Sequence, residues 1–222
     1  MVESPEGCLS WASWEPQPAP EVSRILWWLG PQTRPVRIDG GLSEFLAECR
    51  LRPGPWACLA WLSDVGQYAL VRDPLGLMPL YWAHTRPHRN LAATTVGAML
   101  AAGVDDGLDY DALALRLAGV CGEERARRTD FSAVKKVPAG HLRLFRPGGR
   151  SYELRYWDPA AEFDPGDDLG PRDCAERLSG LLVSAIREED LPGDGVAGHL
   201  SGGLDSAAVV AAAAGQVRLS AL

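Results

Sequence analysis

Along the first 160 residues the apolar positions fall in short runs broken by Gly, Pro and acidic residues. Residues 24–29 (Arg-Ile-Leu-Trp-Trp-Leu) form one compact run. Residues 56–62 and 67–72 form two more, separated by Ser63-Asp64-Val65-Gly66. A short linker containing Asp and Gly between two apolar runs predicts a β-hairpin. Runs at 79–83 and 91–95 continue the series. Residues 141–145 and 152–157 flank Arg146-Pro147-Gly148-Gly149-Arg150, a turn that combines the fixed φ of Pro with permissive Gly. Helical spacing is confined to 42–48, 96–102 and 110–118. Strands and helices mixed in this way predict an α+β domain with a largely antiparallel sheet.

The pattern changes at residues 160–171, where acidic residues, Gly and Pro cluster as in a linker. Beyond it Leu178, Leu181, Leu182, Ala185 and Ile186 recur at three- and four-residue spacings, the single apolar stripe of a helix. Pro171 suits the first turn of that helix, and Pro192-Gly193-Asp194-Gly195 ends the segment in a loop. An apolar strand then leads into Ser201-Gly202-Gly203-Leu204-Asp205-Ser206 and an Ala-rich helix, and a further strand begins at Val217. The chain contains no internal repeat.

Composition narrows the class. The 222 residues correspond to about one and a half domains. Hydrophobic residues make up 46%, enough for a core, and no apolar run approaches the ~18 residues of a membrane span. The first ten residues have neither a basic nor an apolar signal-peptide region. A net charge of −7 argues against a nucleic-acid partner. Five separated cysteines (Cys8, Cys49, Cys58, Cys121, Cys174) with no CxxC pair fit reduced thiols. Together these features predict a cytoplasmic protein with no membrane and no nucleic acid among its partners.

The sharpest chemistry lies in the loop at 200–206. Gly202 and Gly203 lack a Cβ, so the backbone can approach a ligand closely and take unusual φ/ψ values. Their N–H groups, with those opening the next helix, would cradle an anion on the positive end of the helix dipole. Ser201 and Ser206 add hydroxyl donors. Asp205 could hold Mg²⁺ that bridges phosphate oxygens. No Gly-Lys-Ser/Thr follows, so this is not a Walker A loop. Leu200, Ser201, Gly202, Gly203, Leu204, Asp205 and Ser206 are therefore the candidate nucleotide-binding residues, and Asp205 is the candidate metal ligand. A plain Gly-rich turn is the competing reading, and the ordered serines and aspartate weigh against it.

Ser201-Gly202-Gly203-Leu204-Asp205-Ser206 resembles the pyrophosphate loop of the ATP-pyrophosphatase superfamily. Arg72-Asp73-Pro74-Leu75-Gly76-Leu77-Met78-Pro79-Leu80-Tyr81-Trp82 is similar to the RDPxGxxPLY segment of the asparagine synthetase family. Ala93-Thr94-Thr95-Val96-Gly97-Ala98-Met99-Leu100 resembles a degenerate form of that family's ASE-xKAL segment. Val134-Lys135-Lys136-Val137-Pro138-Ala139-Gly140-His141 is similar to its V..LPPGH segment, and Tyr156-Trp157 to the YW that closes its amidotransferase-like domain. The likeness implies a glutaminase-like sandwich of the N-terminal-nucleophile type at 1–165. It also implies, at 166–222, the beginning of an adenine-nucleotide-hydrolase-like α/β domain with a doubly wound parallel sheet.

The departures are equally informative. Glutamine-hydrolysing members carry Cys directly after the initiator Met, and Val2 stands there in this chain. Cys8 could serve as an N-terminal nucleophile only after removal of the seven preceding residues. No Asn-Gly-Glu segment of the glutamine-gripping kind is present. The first domain therefore reads as a degenerate shell, and no catalytic residue is assigned. Family members without glutaminase resemble β-lactam synthetases and lasso-peptide macrolactam cyclases, and the Trp-rich start suits the latter. The resemblance then implies an ATP- and Mg²⁺-dependent carbon–nitrogen ligase that adenylates a carboxylate, such as one in a precursor peptide, for attack by an amine, forming AMP and pyrophosphate. It also implies a leader-peptide recognition protein or a peptidase as partner.

Two other readings stand beside it. One is ordinary asparagine synthesis from ammonia or glutamine. The other is an inactive paralogue acting as a binding scaffold, since sixteen residues follow Ser206 and a doubly wound sheet needs several more strands. On that reasoning the isolated chain is incomplete and should bind ATP poorly. Among the remaining residues, Asp73 before Pro is expected to form a turn rather than to catalyse, and His141 to open a strand. His199 is expected in the apolar strand before the loop, as a core histidine. Lys135-Lys136 is too short for a nucleic-acid patch, and Cys121 and Cys174 are expected to be inert.

Overall fold

The computed structural model describes residues 11–14, 24–29, 41–86, 89–146, 150–162, 169–189 and 195–221. The chain divides into two compact units, Met1–Glu162 and Phe163–Leu222.

The first unit holds β1 (Trp11–Trp14), β2 (Arg24–Leu29), α1 (Leu42–Leu51), β3 (Ala57–Leu62), β4 (Gln67–Arg72), β5 (Tyr81–Arg86) and β6 (Arg89–Ala93). It continues with α2 (Val96–Ala101), α3 (Tyr110–Leu117), α4 (Glu123–Arg127), β7 (Lys135–Lys136), β8 (His141–Phe145) and β9 (Ser151–Arg155). Two antiparallel sheets result, a five-stranded one in the order β2-β3-β4-β8-β9 and a four-stranded one in the order β1-β6-β5-β7.

The period-2 alternation of strand side chains sorts the core into layers. On β3, Cys58, Ala60 and Leu62 join Phe45 and Cys49 of α1 in one buried cluster. The alternate residues Ala57 and Leu59 join Leu70 of β4, Trp82 of β5 and Ala92 of β6 in a second, shared by both sheets. On the four-stranded sheet the remaining positions, Ala83, Leu91 and Ala93, pack with Ala98 and Met99 of α2. The order is thus helix, sheet, sheet, helix. Every residue of β3 is buried, because both faces of its sheet are covered. This explains why residues 57–62 read as a continuous apolar run rather than an alternating one.

Several boundaries moved from their sequence expectations. The run at 79–83 becomes β5 beginning at Tyr81, since Pro79 has no N–H to give a ladder. The run at 91–95 ends at Ala93, because Thr95 caps α2, its Oγ1 accepting from Ala98 N at 3.2 Å. Strands β1 and β7 and helix α4 had no counterpart in the periodicity. The two lysines of β7 are held by pairing with β5, Lys136 opposite Tyr81 and Lys135 opposite Trp82.

The second unit comprises α5 (Pro171–Glu188), β10 (Val196–Gly198), α6 (Leu204–Ala214) and β11 (Leu219–Ala221). Strands β10 and β11 run parallel, Val196 opposite Leu219, with α6 as the crossover between them. The apolar stripe of α5 is largely exposed, with Leu178 at 59% and Leu181 at 61%. Val2, Cys8, the tip of the 146–150 turn, residues 163–168 of the linker and Pro192 to Asp194 lie outside the described residues.

Candidate functional site

The loop at 200–206 joins the end of β10 to the start of α6. Gly198, the last residue of β10, is fixed by packing: a Cβ there would lie 3.0 Å from both Leu219 Cδ2 and Val210 Cγ2. Gly202 has φ of +80°, with nothing within 4 Å of where its Cβ would be. A left-handed residue in open space turns the chain sharply and leaves the surface clear.

The turn brings the two serines together. Ser201 Oγ and Ser206 Oγ are 3.0 Å apart, and Ser206 Oγ donates to Gly203 O at 3.1 Å. The first helical bond of α6 runs from Ala207 N to Gly203 O at 3.2 Å, and no side chain caps this end. The N–H groups of Leu204, Asp205 and Ser206 therefore precede the ladder without helical acceptors. With the helix dipole behind them, they form a positive, donor-rich surface. Leu200, Ser201, Gly202, Gly203, Leu204 and Asp205 are exposed and Ser206 is half-buried. Among the described residues, no hydrogen bond or ion pair engages the Asp205 carboxylate, and no three His, Cys, Asp or Glu residues cluster as a metal site. His199 follows the end of β10 and is exposed, so the expectation of a core histidine does not hold; the strand stops one residue short of it.

The first unit gathers three of the other motif segments, those at 72–82, 134–141 and 156–157, into a hydrogen-bonded knot. Asp73 is 1% exposed. Its Oδ1 accepts from Leu77 N and its Oδ2 from Met78 N, both at 2.9 Å, and its carbonyl accepts from Gly76 N at 3.1 Å and Gly140 N at 3.0 Å. Arg72 donates to the carbonyls of Met78 (2.8 Å), Val137 (2.9 Å) and Gly76 (2.5 Å). Tyr156 Oη donates to Arg72 O at 2.6 Å. Gly140, at φ +65°, accepts from the N–H groups of both Tyr156 and Trp157, at 2.9 and 3.2 Å. A Cβ on Gly140 would sit 2.7 Å from Trp157 O, and one on Gly76 would sit 2.8 Å from Ala139 Cβ. Asp73 is thus a turn-former with both oxygens occupied. His141 opens β8, its Nδ1 2.7 Å from Ala139 O.

Of the described cysteines, Cys49 and Cys58 are buried. Burial pushes the Cys49 and Cys58 thiols well up, so neither is a thiolate near neutral pH. Cys121 and Cys174 are exposed. Sequence reasoning did not find a basic cavity lined by Arg116, Arg125, Arg128 and Lys136. Its residues come from separated elements, and no local spacing marks them.

The first unit is thus an α+β sandwich of two antiparallel sheets with helices outside. The model for the glutamine amidotransferase domain matches residues 43–157, just over half of the 222-residue chain. The chain belongs to the glutamine amidotransferase domain family. Among solved structures it is similar to glutamine phosphoribosylpyrophosphate amidotransferase from B. subtilis complexed with ADP and GMP. There the identity is 15% and the TM-score 0.33, over 81% of this chain and 34% of that one. It is likewise similar to a structure described as the allosteric regulatory enzyme of purine biosynthesis, at 14% identity and TM-score 0.33, over 81% and 34% of the two chains. The chain spans about a third of the length of these structures. No curated protein matches it. Among the described residues, no helix is long and apolar enough to cross a membrane.

Proposed function

We propose that this chain belongs to an ATP-dependent amide ligase of the asparagine synthetase type, with an amidotransferase-like domain ahead of a nucleotide loop. One observation carries the reading. Between parallel strands β10 and β11, an exposed Gly-Gly turn places the Ser201 and Ser206 hydroxyls 3.0 Å apart at the uncapped start of α6. That surface fits an anionic group, since the N–H groups opening α6 have no helical acceptor and Gly202 leaves room for a close approach.

ATP, bound with Mg²⁺, would supply the leaving group that makes a carboxylate an acyl donor. The chain's own contribution is positioning and charge. The N–H groups of Gly202 and the first turn of α6 would donate to phosphate oxygens, and the hydroxyls of Ser201 and Ser206, now bonded to each other, would turn toward them. Asp205, a single carboxylate beside them, suits Mg²⁺ shared with phosphate oxygens. Donors already in place where charge develops need no rearrangement during the reaction.

Within this class, a lasso-peptide macrolactam cyclase is the specific activity proposed. It would act in the cytoplasm on a precursor peptide, alongside a leader-peptide recognition protein or a peptidase. A second reading, hydrolysis of glutamine by the first unit, is favoured by the family match over residues 43–157.

ATP–pyrophosphate exchange by the full-length protein tests the first reading. Ser206→Ala and Asp205→Ala should each lower the exchange rate by about a hundredfold or more; an unchanged rate would overturn it. Ammonia release from glutamine measured on the same samples tests the second.

A further inference from the structure

The first unit carries a cavity of about 290 Å³ that the proposed ligase reading does not use. Four cationic side chains line it, Arg116, Arg125, Arg128 and Lys136, with Asp130 the one carboxylate and Tyr81 on the wall. They arrive from α3, α4, β7, β5 and the segment between α4 and β7.

The charges do not balance. Arg116 is paired with Asp130 at 2.8 Å. Arg128 binds Asp109 through Nε at 2.9 Å and Glu124 through Nη1 at 2.9 Å. Among the described residues, Arg125 has only a carbonyl and a thiol as acceptors, Val120 O at 3.1 Å and Cys121 Sγ at 3.8 Å. Lys136 is half-buried and, among the described residues, has no carboxylate within 4.0 Å. Two positive charges thus face one cavity with no counter-charge of their own. Partly desolvated cations in that position are costly unless an anion joins them.

We propose that this cavity binds a phosphate dianion, either free or at the end of a small phosphate monoester. A phosphate carries about −1.5 to −2 charge near neutral pH and three acceptor oxygens. That matches the two uncompensated cations, and the Arg125 fork and the Lys136 ammonium can share its oxygens. The cavity volume leaves space for a small organic group beyond the phosphate. Burial, with Arg72 and Arg125 nearby, holds the Lys136 ammonium below the usual lysine range against the opposing pull of Asp130.

The test is calorimetric titration of the chain at constant ionic strength with inorganic phosphate, glycerol phosphate, succinate and chloride. Saturable binding of phosphate or of the monoester, weakened about tenfold in both Lys136→Gln and Arg125→Gln but not in Arg150→Gln, supports the site. Phosphate alone binding would assign a free ion; the monoester binding more tightly would assign a phosphorylated small molecule. Equal or tighter binding of succinate, no binding beyond that of chloride, or unchanged binding in the two variants would overturn the proposal. Should a variant fail to fold, phosphate-induced amide shifts in the unsubstituted chain decide. Shifts confined to residues around 125 and 136 support the site, and their absence refutes it.

Discussion

Asp73 and Asp205 each sit in a conspicuous motif, one in each unit, and the structure treats them in opposite ways. Asp73 is 1% exposed, and both its oxygens accept backbone N–H groups. Asp205 is exposed at the start of α6, and no described residue engages its carboxylate. The same contrast extends to their neighbours. Around Asp73 the Arg72 guanidinium, the Tyr156 hydroxyl and the Gly140 backbone spend their hydrogen bonds internally. Around Asp205 the exposed serine hydroxyls bond only each other and the loop's own backbone, and the first N–H groups of α6 have no helical acceptor. A polar group satisfied inside the fold holds the fold; one presented without a partner on a preformed loop is open to something else.

Asp73→Ala should produce the largest effect. It empties a buried position and takes the acceptors from the N–H groups of Leu77 and Met78, at a cost of about 2–4 kcal/mol in urea unfolding. A loss below about 1 kcal/mol would erase the distinction between the two aspartates. A pair of glycines sharpens it next. Both Gly140 and Gly202 have positive φ, but only Gly140 is also crowded, by Trp157 O. Gly140→Ala should therefore cost about 2 kcal/mol or more, and Gly202→Ala about 1 kcal/mol from backbone strain alone.

A third test concerns pH. Hydrogen bonding to Arg128 holds the Asp109 carboxyl below the usual carboxylate range, and Asp109 also caps α3 by accepting from Ala112 N at 3.1 Å. Its folded pKa lies below its unfolded value of about 3.9. The stability it contributes is thus fully present above that value and is lost as pH falls through the folded pKa. Asp109→Asn should flatten the acid limb of a stability–pH curve and leave the region near pH 7 offset but parallel. The smallest effect on stability belongs to Ser201→Ala, within about 0.5 kcal/mol, even where nucleotide-dependent activity falls. A large loss of stability there would mean that the loop is structural after all.

Much of the fold was legible because it rests on local pattern. The β3–β4 hairpin showed in two apolar runs around Ser63 to Gly66, and α5 showed in the spacing of Leu178, Leu181, Leu182 and Ile186. The loop showed because its chemistry is contiguous: Ser-Gly-Gly-Leu-Asp-Ser carries its turn residues and its donors in one stretch. What escaped were elements made by partners distant in sequence. Lys135 and Lys136 carry no strand signal and become β7 only by pairing with Trp82 and Tyr81. His199 looked apolar in context, but the strand ends at Gly198.

The sequence by itself determined the α+β class, most strands and helices, and the position of the Gly-Gly loop, because periodicity, turn chemistry and a contiguous motif are all properties of neighbouring residues. Tertiary structure alone decided that the segments around Arg72, Gly140 and Tyr156 meet in one knot, that Asp73 is internally satisfied while Asp205 is open, and that Arg125 and Lys136 share a cavity. Satisfaction and charge balance depend on which distant groups arrive within hydrogen-bonding distance, and only the packing of the two sheets and their helices brings them there.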